Sequence, residues 1–327
     1  MYNWEKDDLD NPIGYTQHVL NSITSELTVR NTVETSKGEN SPWYDLREEI
    51  ETAVLLEGIS SICDRAFAEC SELKSVYIPN SVKSIGKEAF VLCGRLEPIA
   101  IPGSVTSIGE SAFCSCKALK SITIPDSVIS IGESAFCSCE ALQSITIPHS
   151  ITSIRDRTFN NCTEMNAAKI PNTVTSIGYG AFSCCIGLRS IQIPRSVVSF
   201  GGNPFAGCKN LSVIDISRNQ NFVFVDGVLM DREKTQIVYC NPSKFGYYPI
   251  PYGVTTIGAG TFWGCKHLNT IVIPSSVKEI GDEAFSACAS LSSISIPGCI
   301  KTLGANPFAK CYKLEEIWIV GNNKHLK

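Results

Sequence analysis

Apolar positions along this chain recur in a fixed order rather than with a simple helical or strand period. Phe67, Phe90, Phe113, Phe136, Phe159, Phe182 and Phe205 are each 23 residues apart, and Phe262, Phe285 and Phe308 resume the spacing after one interruption. Around each Phe the text reads Ile-Pro-x-Ser-Val-x-Ser-Ile-Gly-x-x-Ala-Phe-x-x-Cys-x-x-Leu-x-x-Ile-x, and ten units share it. In the unit around Phe136, Leu119, Ile122 and Ile124 mark the inward positions of a short β-branched strand, which Pro125 ends by removing a ladder donor. Val128 and Ile131 give a second extended piece, and Gly132 is expected to relax a tight bend, although Cys63 and Arg155 occupy that slot elsewhere. "ESAFCSC" suits a single turn in which Phe136 and Cys139 share the buried face.

Such a unit has too few apolar side chains to bury its own edge, so it must stack on copies of itself. At the ~4.8 Å spacing of strands, ten units would span roughly 45 to 50 Å, with Phe, Ile, Leu and Cys in continuous files. The expected fold is therefore a β-rich repeat solenoid with a parallel sheet on one face and short turns or 3-10 segments on the other.

Two regions depart from the period. From Phe205 to Phe262 the step is 57, which is 23 + 34. The added text contains "FVFVDGVLMDREKTQIVYC", where Asp226-Gly227 marks a turn, so a hairpin-bearing insert is expected at about 212–248, projecting sideways from the stack. "GGNPFAGC" before it is echoed by "GANPFAKC", and "LEEIWIVGNNKHL" parallels "LSVIDISRNQNF". The echo predicts a second insert-bearing unit beginning near Val320, with the sequence stopping partway through it, either as a cut in a longer protein or as a capping hairpin reduced to its first strand. Residues 1–50 do not repeat. They are expected to form a β-rich N-terminal cap in which Trp4, Trp43 and Tyr44 cover the first unit, leaving 51–327 as the solenoid.

The motif "LxxIxIPxSVxSIGxxAFxxC", from about Leu55 to Val320, resembles the BspA-like (Treponema pallidum-type) leucine-rich repeat. "SPWYDLREEIETAVLLEGISSICDRAF" is similar to the segment that precedes the first unit in such bacterial proteins. The resemblance implies a horseshoe-like leucine-rich-repeat scaffold, surface-exposed or secreted, that binds other macromolecules, host extracellular-matrix proteins among them. It supplies no catalytic residue to carry over.

Charge narrows the partners. Twenty-eight basic against thirty-two acidic residues leave −4, with neither sign gathered into a run, which argues against nucleic acid. No apolar stretch approaches the ~20 residues of a spanning helix. The acidic start "MYNWEKDDLDN" lacks the basic and apolar regions of a secretory signal, so a cytoplasmic location stands as the alternative to the surface.

Ten of the sixteen cysteines lie three residues after the repeat Phe, where a small hydrophobe facing a backbone carbonyl suits a narrow turn. Equal spacing selects neither a disulfide pair nor a four-ligand set. Cys114-Ser-Cys116 and Cys137-Ser-Cys139 in adjacent units supply four sulfurs on paper, but zinc would have to draw Cys116 and Cys139 out of the core; an oxidisable surface pair is the better reading. His18, His149, His267 and His325 recur with no ligand or nucleophile partner, and no Gly-rich phosphate loop is present. No cofactor and no metal are expected. Asp126, His149, Arg155 and Asp156 come nearest to the acid–base cluster of a carbohydrate-active β-solenoid enzyme, but they fall in the turn region.

What remains is surface. Outward strand positions are Lys74, Tyr77, Lys120, Thr123, Gln143, Thr146, Lys169, Arg189, Gln192, Asn269, Val272, Glu315 and Trp318, expected to line one face. The insert adds a candidate aromatic patch of Phe222, Phe224, Tyr247, Tyr248 and Trp263, with Phe245, Tyr239 and Tyr252 close in sequence. The expected function is a non-enzymatic scaffold, monomeric, binding a protein or a glycan. The rival readings are a structural spacer within a larger surface protein, and the enzyme just described.

Overall fold

A computed structural model describes residues 18–21, 25–29 and 41–321 of the 327-residue chain. The chain divides into two compact units, 1–150 and 151–327.

In the first unit, strands His18–Asn21 and Glu26–Val29 pair antiparallel, and Glu26–Val29 then pairs in parallel with Thr52–Leu55, which pairs with Ser75–Tyr77. A second ladder joins the Ser-Ile pairs Ser61–Ile62, Ser84–Ile85, Ser107–Ile108 and Ser130–Ile131, all parallel and offset by one repeat, as in Ile85 opposite Ile108. The rings of Phe67, Phe90, Phe113 and Phe136 stack at 5.3, 5.2 and 5.4 Å between centroids, within 10° of parallel. Trp43 extends this file: its ring lies 5.4 Å from Phe67, and its buried Nε1 donates to the Ala66 carbonyl at 2.7 Å. Trp4 lies outside the described residues.

The turn side is built from alternating hydrogen bonds. Phe113 N and Ser115 N donate to Ala135 O and Cys137 O in the next coil at 2.8 and 2.7 Å, while Cys114 N and Cys116 N donate back to Ser111 O and Phe113 O. Ser111, Ser115, Ser134 and Ser138 have φ between 53° and 63°, so the segment is a sequence of turns; among the described residues the 3-10 helix is Tyr44–Leu46, ahead of the first repeat Phe. The cysteine file satisfies the carbonyls left over. Cys93, Cys116 and Cys139 donate through Sγ to the carbonyls of Phe67, Phe90 and Phe113 at 3.0, 3.2 and 3.1 Å.

Two repeat letters have roles that differ from, or were absent from, the sequence expectation. Gly86, Gly109 and Gly132 have no positive φ; a Cβ on Gly109 would lie 2.5 Å from the Gly86 carbonyl carbon, and one on Gly132 2.4 Å from Glu110 N. At Gly109 and Gly132 the absent Cβ lets successive coils touch backbone to backbone; the bend itself does not demand glycine, and Cys63 and Arg155 stand in the slot in two units. The Ser of Ile-Pro-x-Ser-Val ties coils together: Ser104 and Ser127 donate through Oγ to Val82 O and Val105 O at 2.6 and 2.7 Å.

The second unit carries the same coils around Phe159, Phe182 and Phe205, stacked at 5.4 and 6.1 Å. The insert does not project sideways. Phe222–Val225 and Val228–Asp231 form the expected hairpin through Asp226 and Gly227, at φ 50° and 75°, and Val228–Asp231 pairs antiparallel with Gln236–Cys240. Gln236–Cys240 then pairs in parallel with Thr256–Ile257, which leads to Glu279–Ile280 and Thr302–Leu303, giving one six-stranded sheet. The meander is thus part of the stack, and its apolar face is why: Val228, Leu229, Ile237 and Tyr239 are almost fully buried, which a solvated appendage would not allow. The last insert strand, Phe245–Pro249, heads a four-stranded parallel sheet with His267–Val272, Ser293–Pro297 and Glu316–Val320.

"GGNPF" has its explanation here. Asn203 donates from its backbone to Ala259 O at 3.0 Å and from Nδ2 to Gly260 O at 2.7 Å, joining turns on either side of the insert. Tyr239 enters the ring file edge-on to Phe205 at 5.8 Å, and its hydroxyl is buried without a hydrogen-bond partner.

Candidate functional site

Inward positions are consumed by packing, so the side chains open to solvent are those that the period leaves outside. In the first unit Tyr77 is 57% exposed, and Lys120, Thr123, Gln143 and Thr146 are exposed as expected. Lys74 is only half-exposed and its Nζ is 2.6 Å from Glu51, whose carboxyl this hydrogen bond holds below its usual range. The face is not a continuous sheet. Pro98 occupies the position of Ser75, Ser121 and Ser144 in neighbouring units; without an amide donor the ladder lapses, leaving the single bridge Ala100 to Thr123. An open depression of about 450 Å³ lies there, lined by Lys74, Arg95, Glu97, Pro98, Ala118 and Lys120. Arg95 is paired with Glu72 and Lys74 with Glu51, so among the described residues Lys120 is the lining cation that has no ion pair.

In the second unit Lys169, Arg189 and Gln192 are exposed, with Gln192 Nε2 3.3 Å from Asp215 Oδ2. The four-stranded sheet carries the more distinctive surface. Tyr248, Ile271 and Ile294 point inward, so Tyr247 and Pro249, Thr270 and Val272, Ser293 and Ser295, Glu316 and Trp318 point outward. Register places Pro249, Val272, Ser295 and Trp318 in one row and Tyr247, Thr270, Ser293 and Glu316 in the next. Tyr247 is 61%, Val272 41% and Trp318 59% exposed, and the Trp318 indole is held by Glu316 at 3.2 Å. Three strand steps at ~4.8 Å separate the Tyr247 and Trp318 strands, about 14 Å in all.

Candidates that the sequence put in two places, the insert and the strand face, therefore share one sheet. The insert patch itself needs correction. Phe222 is buried edge-on to Phe200 at 4.7 Å, and Tyr248 is buried 5.8 Å from Phe262 beneath Lys244; neither is available to a partner. Phe224 and Trp263 are half-buried, the latter over Gly207, where a Cβ would lie 2.9 Å from the indole. Phe245 and Tyr252, at 80% and 85% exposure, are the outward aromatics near Tyr247.

Of the acid–base candidates of the turn region, Asp156 is engaged in holding the stack. Asp156 Oδ1 accepts from Tyr179 N at 2.8 Å, a coil-to-coil cap repeated by Asp64 and Asp282. Among the described residues no group of three or more His, Cys, Asp or Glu is placed to hold a metal ion, and no helix is long and apolar enough to cross a membrane.

Stacked 23-residue coils, two parallel ladders and a file of buried Phe and Cys define a leucine-rich-repeat β-solenoid. The chain belongs to the BspA type leucine-rich repeat family, whose repeat region matches residues 43–166, 129–225 and 236–327. A leucine-rich cell surface protein from Faecalibacterium prausnitzii A2-165 is 26% identical, with a TM-score of 0.67 over 96% of both chains. A leucine-rich repeat protein from Eubacterium ventriosum is also 26% identical, with a TM-score of 0.54 over 93% of this chain and 70% of that one. The pneumococcal vaccine antigen PcpA shares the fold at 19% identity, with a TM-score of 0.57 over 94% of this chain and 80% of that one. No curated protein matches.

Proposed function

We propose that this chain is a non-enzymatic recognition module of a bacterial cell surface, monomeric, which holds an extracellular protein partner against the outward face of its four-stranded sheet. The observation that carries the reading is the convergence of Tyr247, Val272 and Trp318 on one face, where exposed large side chains have no packing role. Tyr and Trp are the residues most enriched at energetic hot spots, and a face held by continuous ladders loses little conformational entropy on binding. The likeness to a cell surface protein from F. prausnitzii supports the location. The Ser- and Thr-rich outward positions of the first unit serve as solvated surface in this reading, with the Lys120 depression as a secondary contact.

Surface plasmon resonance of the intact chain over immobilised extracellular-matrix proteins tests the proposal. Saturable binding that weakens in Tyr247→Ser and Trp318→Ser supports it. An intact, folded chain that binds none of them favours a spacer instead. Deleting the insert is unsuitable, since its strands belong to both sheets.

A further inference from the structure

The position one residue after the repeat Phe is Ala68, Val91, Cys114, Cys137, Asn160, Ser183, Ala206, Trp263, Ser286 and Ala309 in successive units, so thiols occupy adjacent coils only once. The backbone brings these two side by side. Phe113 N to Ala135 O and Ser115 N to Cys137 O, at 2.8 and 2.7 Å, clamp the coils on both sides of Cys114, and the preceding rings are 5.4 Å apart and parallel within 2°. That coil spacing of ~5 Å falls within the range of Cα separations that a disulfide spans, roughly 4.4–6.8 Å. Both side chains are half-buried, with the Ser115 and Ser138 hydroxyls 3.8 and 3.7 Å from the Cys114 and Cys137 sulfurs. Cys116 and Cys139, by contrast, are buried and donate to Phe carbonyls.

We propose that Cys114 and Cys137 form an oxidisable modification site, in which a low-molecular-weight disulfide converts the pair to a bridge that staples two successive coils. One cysteine loses its proton and attacks the small disulfide, forming a mixed disulfide and releasing one equivalent of small thiol. The other cysteine then loses its proton and attacks the protein sulfur of that adduct, forming Cys114 Sγ–Cys137 Sγ and releasing the second small thiol. The protein gives up two electrons and two protons, and the small disulfide takes up both as two thiols. The neighbouring Cys137 thiol and partial burial hold the Cys114 thiol above its ordinary range.

Incubating the intact chain with oxidised glutathione, alkylating under native conditions and mapping peptides by mass spectrometry tests the site. The expected result is a Cys114–Cys137 bridge reversed by dithiothreitol, with amide exchange in both coils slowed about tenfold or more. Cys114→Ser and Cys137→Ser should each abolish the bridge and leave the remaining cysteine glutathionylated; both should fold, since Ser183 and Ser286 occupy the same slot. Glutathione adducts at both positions without a bridge, a bridge mapped to Cys116 or Cys139, or a bridge that leaves exchange unchanged would overturn the proposal.

Discussion

Removing one ring from the Phe file tests how the coils hold together. Phe113 has no exposed surface and contacts Phe90 at 5.2 Å and Phe136 at 5.4 Å, so Phe113→Ala opens a cavity bordered by two other coils. A buried Phe to Ala change costs about 3–5 kcal/mol, a figure that already contains the lost ring contacts of about 0.5–1.5 kcal/mol each. Phe308 is half-buried and touches one repeat ring, Phe285, at 5.5 Å. With about half the burial and half the neighbours, Phe308→Ala should cost about 1.5–2.5 kcal/mol. Urea unfolding followed by circular dichroism gives the totals, and hydrogen exchange read by peptide shows where protection is lost, since a repeat stack need not unfold in one step. In Phe113→Ala the turns around Phe90 and Phe136 should lose protection with the turn around Phe113. Equal costs for the two variants, or a loss confined to the mutated coil, would refute coupling through the file.

Further outcomes follow from the same contacts. Gly109→Ala, which forces a Cβ to 2.5 Å from backbone, should destabilise by about 1–3 kcal/mol, whereas Gly103→Ala, with nothing within 4 Å, should leave the thermal midpoint unchanged. Tyr239→Phe removes a buried hydroxyl that has no partner, so it should raise stability by up to about 1–3 kcal/mol; a lowered midpoint would mean the hydroxyl is bonded. Burial pushes the Cys70 and Cys208 thiols up to about 12 from an ordinary 9.0, so the folded chain keeps protons that the unfolded chain releases. The contribution of these thiols to stability should therefore be level below about pH 9 and fall between about pH 9 and 12, measured as thermal midpoints against pH; a rise in that window would contradict the burial.

The file-forming residues were legible because stacking converts a sequence period directly into spatial neighbours: Phe113 and Phe136 meet for the same reason that they are 23 apart. The cysteine facing a carbonyl followed from the small size of its slot and is realised at Cys116. Gly109 was harder to read, since a glycine announces freedom in φ and only coordinates reveal a coil pressed against its Cα. The insert misled for a related reason. Its hairpin turn is local and visible at Asp226-Gly227, but the pairing of Gln236–Cys240 with Thr256–Ile257 is a long-range choice that no local pattern encodes. Phe222 and Tyr248 looked like surface aromatics because the meander was expected to stand outside the stack; once it lies within, they fill core. The lapse of the ladder at Pro98 was readable in principle from the missing amide, in a slot that neighbouring units fill with serine.

The most direct test of the recognition claim is the affinity of a Tyr247→Ser, Trp318→Ser double variant for a matrix protein that binds the parent chain, measured beside its thermal midpoint. Both side chains are outward, so the midpoint should hold while affinity falls by a factor of ten or more, about 1.4 kcal/mol or greater. Undiminished binding by the folded double variant would contradict the account and move recognition off this sheet.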